Sequence, residues 1–147
     1  MTLITILGIL MALWCVDRPA PEVEPRTLVV HPYSIRTPEQ YAQDLAECRA
    51  RIAAELAAER PAPSPRVAAF GHIGAAMDED IERHKAVAKL WICLEMHDYV
   101  LEHKPSPSPE RYLNDLLACA QPIQEAPHPD AALVRTCMAA RGHQVPW

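Results

Sequence analysis

Four cysteines are the residues with the clearest chemistry in this chain, because they fall at matching places in an internal repeat. The segment Thr37–Cys48 recurs as Ser108–Cys119, with a hydroxyl residue, Pro, Glu, Tyr, Asp, Leu and Cys at the same places. A shorter echo starts at Cys93 and again at Cys137. No Cys-x-x-Cys pair is present, although zinc ribbons, thioredoxin-like sites and c-type haem sites need one. We therefore expect two structural disulfides in an oxidising compartment.

Pairing within each copy, Cys48 with Cys93 and Cys119 with Cys137, is favoured by the symmetry of the repeat. Arm lengths agree with it. The first helix runs ~18 Å from Cys48 to the prolines that end it, and a return helix starting at Asp78 runs ~22 Å to Cys93. Four cysteines allow about three connectivities, so this pairing is an inference from symmetry and length.

Histidine and methionine raise the possibility of a metal site. The chain has seven His and five Met, and the candidate ligands for copper are His84, His97, His143, Met96 and Met138. No two histidines stand four residues apart, the spacing that puts two ligands on one face of a helix. We expect no metal and no other cofactor, and keep a periplasmic metal- or small-ligand-binding module as the alternative function.

Carboxylates are concentrated at Asp78, Glu79, Asp80 and Glu82. Such a cluster could hold a hard cation, but it more simply marks the start of the return helix, where the helix dipole favours negative charge. No motif pairs a nucleophile with a base or sets two carboxylates in a cleft, so we predict no enzymatic activity and no catalytic residue. The net charge of -5 and the dispersed basic residues argue against a nucleic-acid partner.

The N-terminal segment, residues 1–16, is apolar and has no charged side chain. It is typical of a signal peptide or of a membrane anchor, and an uncleaved N-terminal helix is the alternative. Cys15 stands where bacterial lipoproteins carry their acylated cysteine, although Trp14 replaces the small residue usual there. Cys15 is therefore a lipidation candidate, and we expect the chain to contact the membrane through its N-terminus.

A proline-rich linker follows over residues 17–36. Its prolines exclude a helix and favour extended chain, which could span up to ~60 Å as polyproline II. Within it, Thr27–Val30 is a short β-prone run, interpreted as an isolated extended segment or as a strand that adds to the sheet edge of a partner.

Two helical hairpin units, residues 37–103 and 104–147, make up the rest. Thr37 is the predicted N-cap of the first helix, with Gln40 completing a capping box, and Ser108 is the second N-cap. We expect Pro122 to end its helix early.

Residues 66–77 are predicted to form a short helix or loop over the end of the first hairpin. Within them, the spacing Gly71-x-x-x-Ala75 could allow another helix to approach closely, and a small-residue loop is the alternative.

The second echo predicts a helix terminator. Gly142 would be the left-handed residue after the last helix, and Asp98 takes its place in the first unit. The side chains expected to touch across this cap are Leu94 with Tyr99 and Met138 with His143.

The closing segment Cys137–His143 resembles the terminal Cys-Met-x-x-Lys/Arg-Gly-Tyr segment of many small exported bacterial proteins and lipoproteins, with His in place of Tyr. The resemblance covers seven residues; it implies a bacterial envelope location and no catalytic residue. A helical-hairpin subunit of the mitochondrial intermembrane space would share the stapled architecture, but its short, equal cysteine spacings do not match.

The sequence thus predicts an all-α protein: two tandem disulfide-stapled helical hairpins after an N-terminal apolar helix and a proline-rich extended linker. The expected role is non-enzymatic, as a structural or accessory protein docked on a membrane or periplasmic assembly and anchored in the bacterial periplasm. Trp91 and Trp147 are the interface candidates. Tyr41 and Tyr112 are weaker candidates, because core positions suit them better.

Overall fold

The computed structural model describes residues 36–60, 62, 64–100 and 107–147, and the backbone of residues 28–30 and 101. Five helices and one two-stranded antiparallel sheet make up this part of the chain, which confirms the predicted all-α, disulfide-stapled fold. In chain order the elements are β1 (Leu28–Val30), α1 (Pro38–Glu59), α2 (Pro65–Phe70), α3 (His72–Met96), β2 (Tyr99–Leu101), α4 (Pro109–Gln124) and α5 (Ala131–Ala140).

The repeated helices α1 and α4 begin as the sequence predicts. The side chain of Thr37 accepts a hydrogen bond from the backbone N–H of Gln40 (3.2 Å), and Oε1 of Gln40 accepts one from the backbone N–H of Thr37 (2.9 Å). Ser108 caps α4 by accepting from the backbone N–H of Arg111 (3.3 Å). In each case the proline that follows the cap occupies the first helical turn, where it loses no hydrogen bond.

The return helix does not start at the acidic cluster as predicted. It starts at His72, so that Asp78 lies nearly two turns inside α3. Gly71, with φ of 60°, turns the chain sharply from α2 into α3, a conformation that glycine adopts without strain. Gly74 is the residue that allows close approach, because a Cβ there would lie 2.0 Å from the carbonyl oxygen of Arg66. The sequence had suggested Gly71 for that role.

Two disulfides staple the helices, with the predicted pairing. Cys48 of α1 is bonded to Cys93 of α3, and Cys119 of α4 to Cys137 of α5, each with a Cα–Cα distance of 5.8 Å. Because α3 begins earlier than predicted, its first turns extend beyond the end of α1.

Helix α3 contributes to two hydrophobic cores. Its C-terminal half packs on α1 around Cys48 and Cys93. Its N-terminal half, through Met77 and Ile81, packs with α2, α4 and α5 around Leu116 and Met138. Helix α3 is therefore stapled to α1 and also packs against the second stapled pair, α4 and α5.

Two local predictions are corrected. Pro122 does not end α4, which continues to Gln124; the proline is exposed in the last turn, where its missing N–H removes a single bond from the helix end. The β-prone run is not isolated, because Leu28–Val30 pairs with Tyr99–Leu101 of the same chain. One edge of this strand is therefore not available to the sheet of a partner.

Candidate functional site

In the first unit, the repeated aspartate, Asp44, binds side chains at the end of the return helix. Asp44 of α1 accepts a hydrogen bond from the hydroxyl of Tyr99 (2.9 Å). Nδ1 of His97 lies 3.5 Å from the same carboxylate and the guanidinium of Arg36 lies 3.7 Å away. Burial of the phenol, followed by its bond to Asp44, raises the pKa of Tyr99 to about 12, so this tyrosine remains a donor throughout the neutral range.

The second unit repeats this arrangement with different donors. Asp115 of α4 lies 2.7 Å from Nε2 of His143 and 2.6 Å from a guanidinium nitrogen of Arg141. The hydrogen bond from His143, followed by that from Arg141, holds the pKa of the Asp115 carboxyl below its ordinary value. Asp115 is therefore charged at neutral pH, which lets it bind both side chains.

The repeated tyrosines make the same kind of ring contact. The ring of Tyr41 meets that of Tyr99 edge to face, with centroids 5.5 Å apart, and the ring of Tyr112 meets that of His143 in the same way at 5.2 Å. The Tyr, Asp and Cys of each repeated helix thus contact equivalent places on the return helix or on the residues that follow it. The repeated residues therefore hold the return helix in the same way in both units.

Both return helices end at the left-handed residue that the sequence predicts. Gly142 has φ of 82° and Asp98 has φ of 66°. After α5, the N–H of His143 donates to the carbonyl of Met138 and that of Gly142 to Ala139, both at 3.0 Å, which is the Schellman pattern. After α3, the N–H of Asp98 donates to the carbonyl of Glu95 (3.1 Å). The terminator places His143 and Tyr99 opposite the aspartates that bind them.

Asp80, in the middle of α3, is the most deeply buried carboxylate among the described residues, with 2 % of its surface exposed. The hydroxyl of Tyr112 donates to it, and the indole N–H of Trp147 lies 3.4 Å away. Nδ1 of His84 lies 3.4 Å from its Oδ1. Burial alone would raise the pKa of Asp80, but the bonds from His84, Tyr112 and Trp147 and the charge of His84 outweigh it and lower that pKa.

His84 covers one face of Tyr112. The two rings are stacked, with centroids 3.9 Å apart and planes 8° from parallel. Burial works to lower the pKa of His84, but its hydrogen bonds and charge interaction with Asp80 outweigh this and raise it. The phenol pKa of Tyr112 is also raised, first by burial and then by its bond to Asp80. Asp80, His84 and Tyr112 form the central polar cluster of the protein.

The histidines and methionines proposed as copper ligands do not converge. His84 and His143 contact Tyr112 on the second unit, whereas His97 lies beside Asp44 on the first. Met138 is fully buried in the second core, and Met96 is exposed on α3. A different set does converge: the sulfurs of Cys48 and Cys93 and a ring nitrogen of His97 lie within 4.8 Å of one another.

The four carboxylates of the acidic cluster face different partners, except that Arg83 lies near both Glu79 and Asp80. Asp78 bonds Arg66 of α2, and Glu82 forms a two-point ion pair with Arg60 at 2.8 and 2.9 Å. Glu79 lies 3.9 Å from Arg83. With Asp80 turned into the core, the cluster ties α3 to its neighbours on several sides.

The two interface candidates have different environments. Trp147 packs against the second core, its indole approaches Asp80, and its backbone oxygen accepts two bonds from Arg135 (2.7 and 3.1 Å). It therefore holds the C-terminus onto the fold. Trp91 is half-buried on α3. The exposed apolar residues Ile92 and Met96 also lie near the end of α3, and the sequence did not suggest them as interface residues.

Of the tyrosines, Tyr112 is buried in the second core and Tyr41 packs, partly buried, against the first. Cys15 and the apolar residues 1–16 lie outside the described residues. Among the described helices, none combines the length and the apolar character required to cross a membrane.

The sequence reasoning did not single out Asp44 and Asp115, although both were visible as invariant positions of the repeat. Asp80 carried no such signal, because it stood among other acidic residues. No family model matches the chain, and neither a curated protein nor a solved structure matches it.

Proposed function

We propose that the protein is a non-enzymatic accessory subunit of the bacterial cell envelope that docks on a membrane-protein assembly. The observation that carries the proposal is a pair of exposed apolar side chains on the stapled part of α3. Ile92 is 55 % and Met96 71 % exposed, and a spacing of four residues puts them side by side on the helix. Exposed large apolar residues that cluster in this way are typical of interaction surfaces.

This surface is held rigidly. Cys93 and Leu94, between the two exposed residues, are buried in the first core, and Cys93 is disulfide-bonded to α1. A rigid surface loses little conformational entropy on binding, and the flexible methionine side chain adapts to the shape of a partner. These properties suit a docking surface.

The position of β1 supports a membrane-associated partner. Val30 pairs with Tyr99 just after the end of α3, so the chain enters the folded part close to Met96. Residues 17–27 then separate Leu28 from the apolar residues 1–16. As polyproline II, at ~3.1 Å per residue, these eleven residues span about 34 Å. An anchor formed by residues 1–16 would then hold the start of β1 about that far from the membrane.

The polar groups of the described residues support a structural role over catalysis. Asp44, Asp80 and Asp115 each accept hydrogen bonds that join two helices or a helix and its terminator. A general acid or base needs a carboxyl that is open to a substrate, and these three are used to hold the fold together.

The test is co-purification of the tagged full-length protein from detergent-solubilised membranes. We expect the wild type to elute with a membrane complex and Ile92→Asp to elute alone. Leu133→Asp is the matched control, because Leu133 on α5 is also 55 % exposed, and this variant should keep the complex. A wild-type protein that elutes as a solitary monomer, or a complex equally lost in both variants, would contradict the proposal.

A further inference from the structure

The end of α3 places an imidazole against a disulfide. Cys93 lies in the last turn of α3, and His97 follows four residues later at the helix end, so both face α1. Their side chains meet Cys48 there, with the two sulfurs and one ring nitrogen all within 4.8 Å of one another. Within the described ranges, this is the one group of three or more His, Cys, Asp and Glu side chains close enough to share an ion.

We propose that this group becomes a zinc site when the Cys48–Cys93 disulfide is reduced. A dithiol reductant supplies the two electrons: its two thiols become one disulfide, and the Cys48–Cys93 bond becomes two cysteine thiols. Zn²⁺ then binds both sulfurs as thiolates and His97 as neutral imidazole, and two protons are released to solvent. The metal takes over the position of the covalent staple between α1 and α3.

The distances suit a tetrahedral ion. Bonds of about 2.3 Å to sulfur and 2.0 Å to nitrogen place the ligand atoms of a tetrahedral zinc site roughly 3.3 to 3.8 Å apart. Since the three atoms already lie within 4.8 Å of one another, shifts on the order of 1 Å bring them into place. The Cα atoms of the two cysteines, 5.8 Å apart, are close enough for both sulfurs to share one ion.

The surroundings already contain a partner for the histidine. Asp44 lies 3.5 Å from Nδ1 of His97, so with the ion bound to Nε2 this carboxylate orients the ring, as the partners of histidine ligands do. The hydroxyl of Tyr99 in turn holds Asp44 (2.9 Å). The side chain of His97 is partly exposed, so water can supply the fourth ligand. Arg36, which is near Asp44, opposes a cation, and the two thiolates offset its charge.

The second unit lacks this capacity, which gives an internal comparison. The residue four places after Cys137 is Arg141, which contacts Asp115 as His97 contacts Asp44. A guanidinium makes the same structural ion pair but does not bind metal. Exchange of His97 for arginine therefore removes the proposed ligand and keeps the contact that the fold uses.

The experiment is a Co²⁺ titration of the full chain with Cys15→Ser, which removes the fifth thiol, under a phosphine reductant and without oxygen. We expect cobalt–thiolate charge-transfer and tetrahedral d–d absorption that saturates at one equivalent, and that Zn²⁺ displaces. His97→Arg should weaken binding at least about tenfold, since it removes one of the three protein ligands. His143→Arg, a substitution in the second unit, should leave binding unchanged.

Helical circular dichroism is recorded in parallel. Absence of the thiolate bands from the reduced protein would overturn the proposal, as would equal affinity in His97→Arg or binding by the oxidised protein. A reduced chain that loses its helical signal and does not regain it with Zn²⁺ would also overturn it. None of these results bears on docking through Ile92, so the two proposals fail separately.

Discussion

Replacement of Asp80 by asparagine tests whether the central polar cluster stabilises the fold. The substitution keeps the size of the side chain and removes its charge. In the folded protein the carboxylate accepts hydrogen bonds from Tyr112 of α4 and from Trp147 at the C-terminus. Nδ1 of His84 lies 3.4 Å from the carboxylate and hydrogen-bonds the backbone oxygen of Asp80 (2.9 Å). Asparagine can still accept from the phenol, but it no longer pairs with a protonated His84.

The loss of unfolding free energy expected for Asp80→Asn depends on pH. The raised pKa of His84 means that its contribution to stability is fully present below its ordinary pKa of 6.5 and is lost as the pH rises through the raised folded value. The lowered pKa of Asp80 means that its contribution is present above its ordinary pKa of 3.8 and is lost as the pH falls through the lowered folded value. The ion pair therefore stabilises the fold most between these two ordinary values.

Breaking a buried ion pair costs about 3 to 5 kcal/mol. Since the side chain of His84 is 28 % exposed, we expect the lower end, about 3 kcal/mol near pH 6. Above the raised pKa of His84 the imidazole is neutral in both proteins, and weaker hydrogen bonds to the amide leave a loss of roughly 1 kcal/mol. In the variant, burial without the carboxylate should bring the pKa of His84 below its wild-type value.

The assay is urea unfolding across this pH range, with an NMR titration of the His84 ring. Glu79→Gln is the matched control on the same helix, because Glu79 is exposed and lies 3.9 Å from Arg83, a surface pair worth at most about 1 kcal/mol. A loss for Asp80→Asn that equals that of the control, or that grows as the pH rises, would refute this account of the cluster.

Three further experiments test the packing, the staples and the repeat. Gly74→Ala should cost roughly 1 to 3 kcal/mol, because its Cβ would lie 2.0 Å from a backbone oxygen of α2; an unchanged thermal midpoint would contradict this close packing. Joint replacement of Cys119 and Cys137 by alanine should lower the free energy of unfolding in urea by about 3 kcal/mol, and no change would show that the staple adds nothing. His143→Tyr should cost under about 1 kcal/mol of stability in thermal unfolding, because a phenol can also donate to Asp115. His143→Ala should cost about 2 kcal/mol, because it leaves Asp115 without this donor. Equal losses in the two variants would refute the equivalence of the two units.

Much of the fold could be predicted from local sequence signals. The capping box at Thr37 and the prolines after the caps fixed the starts of α1 and α4, because these signals act through neighbouring backbone groups. The disulfide pairing followed from the repeat, and the terminators at Asp98 and Gly142 followed from the second echo. In each case, residues close in the chain, or matched by the repeat, carried the information.

The predicted start of α3 was wrong because clustered carboxylates occur both at helix starts and inside helices that bind arginines. Carboxylates favour the first turn of a helix, but Asp78 and Glu82 sit inside α3 and bind arginines of other segments. Asp80 was missed for the same reason, since only the tertiary fold brings Tyr112 and Trp147 to it. The Cys48–Cys93–His97 group was not predicted, because histidine spacing does not show that the fold brings Cys48 of α1 beside His97.

The differences between the two units have a physical explanation in how an aspartate accepts hydrogen bonds. A carboxylate binds a phenol, an imidazole or a guanidinium with similar geometry, so Asp44 and Asp115 can hold different residues at the end of the return helix without a change of fold. Tyr99 and His143 exchange in this way, as do His97 and Arg141. The receiving helix keeps its Tyr, Asp and Cys, and the returning helix is free to vary its chemistry. That freedom places an imidazole beside the Cys48–Cys93 disulfide and a guanidinium at the equivalent position of the second unit.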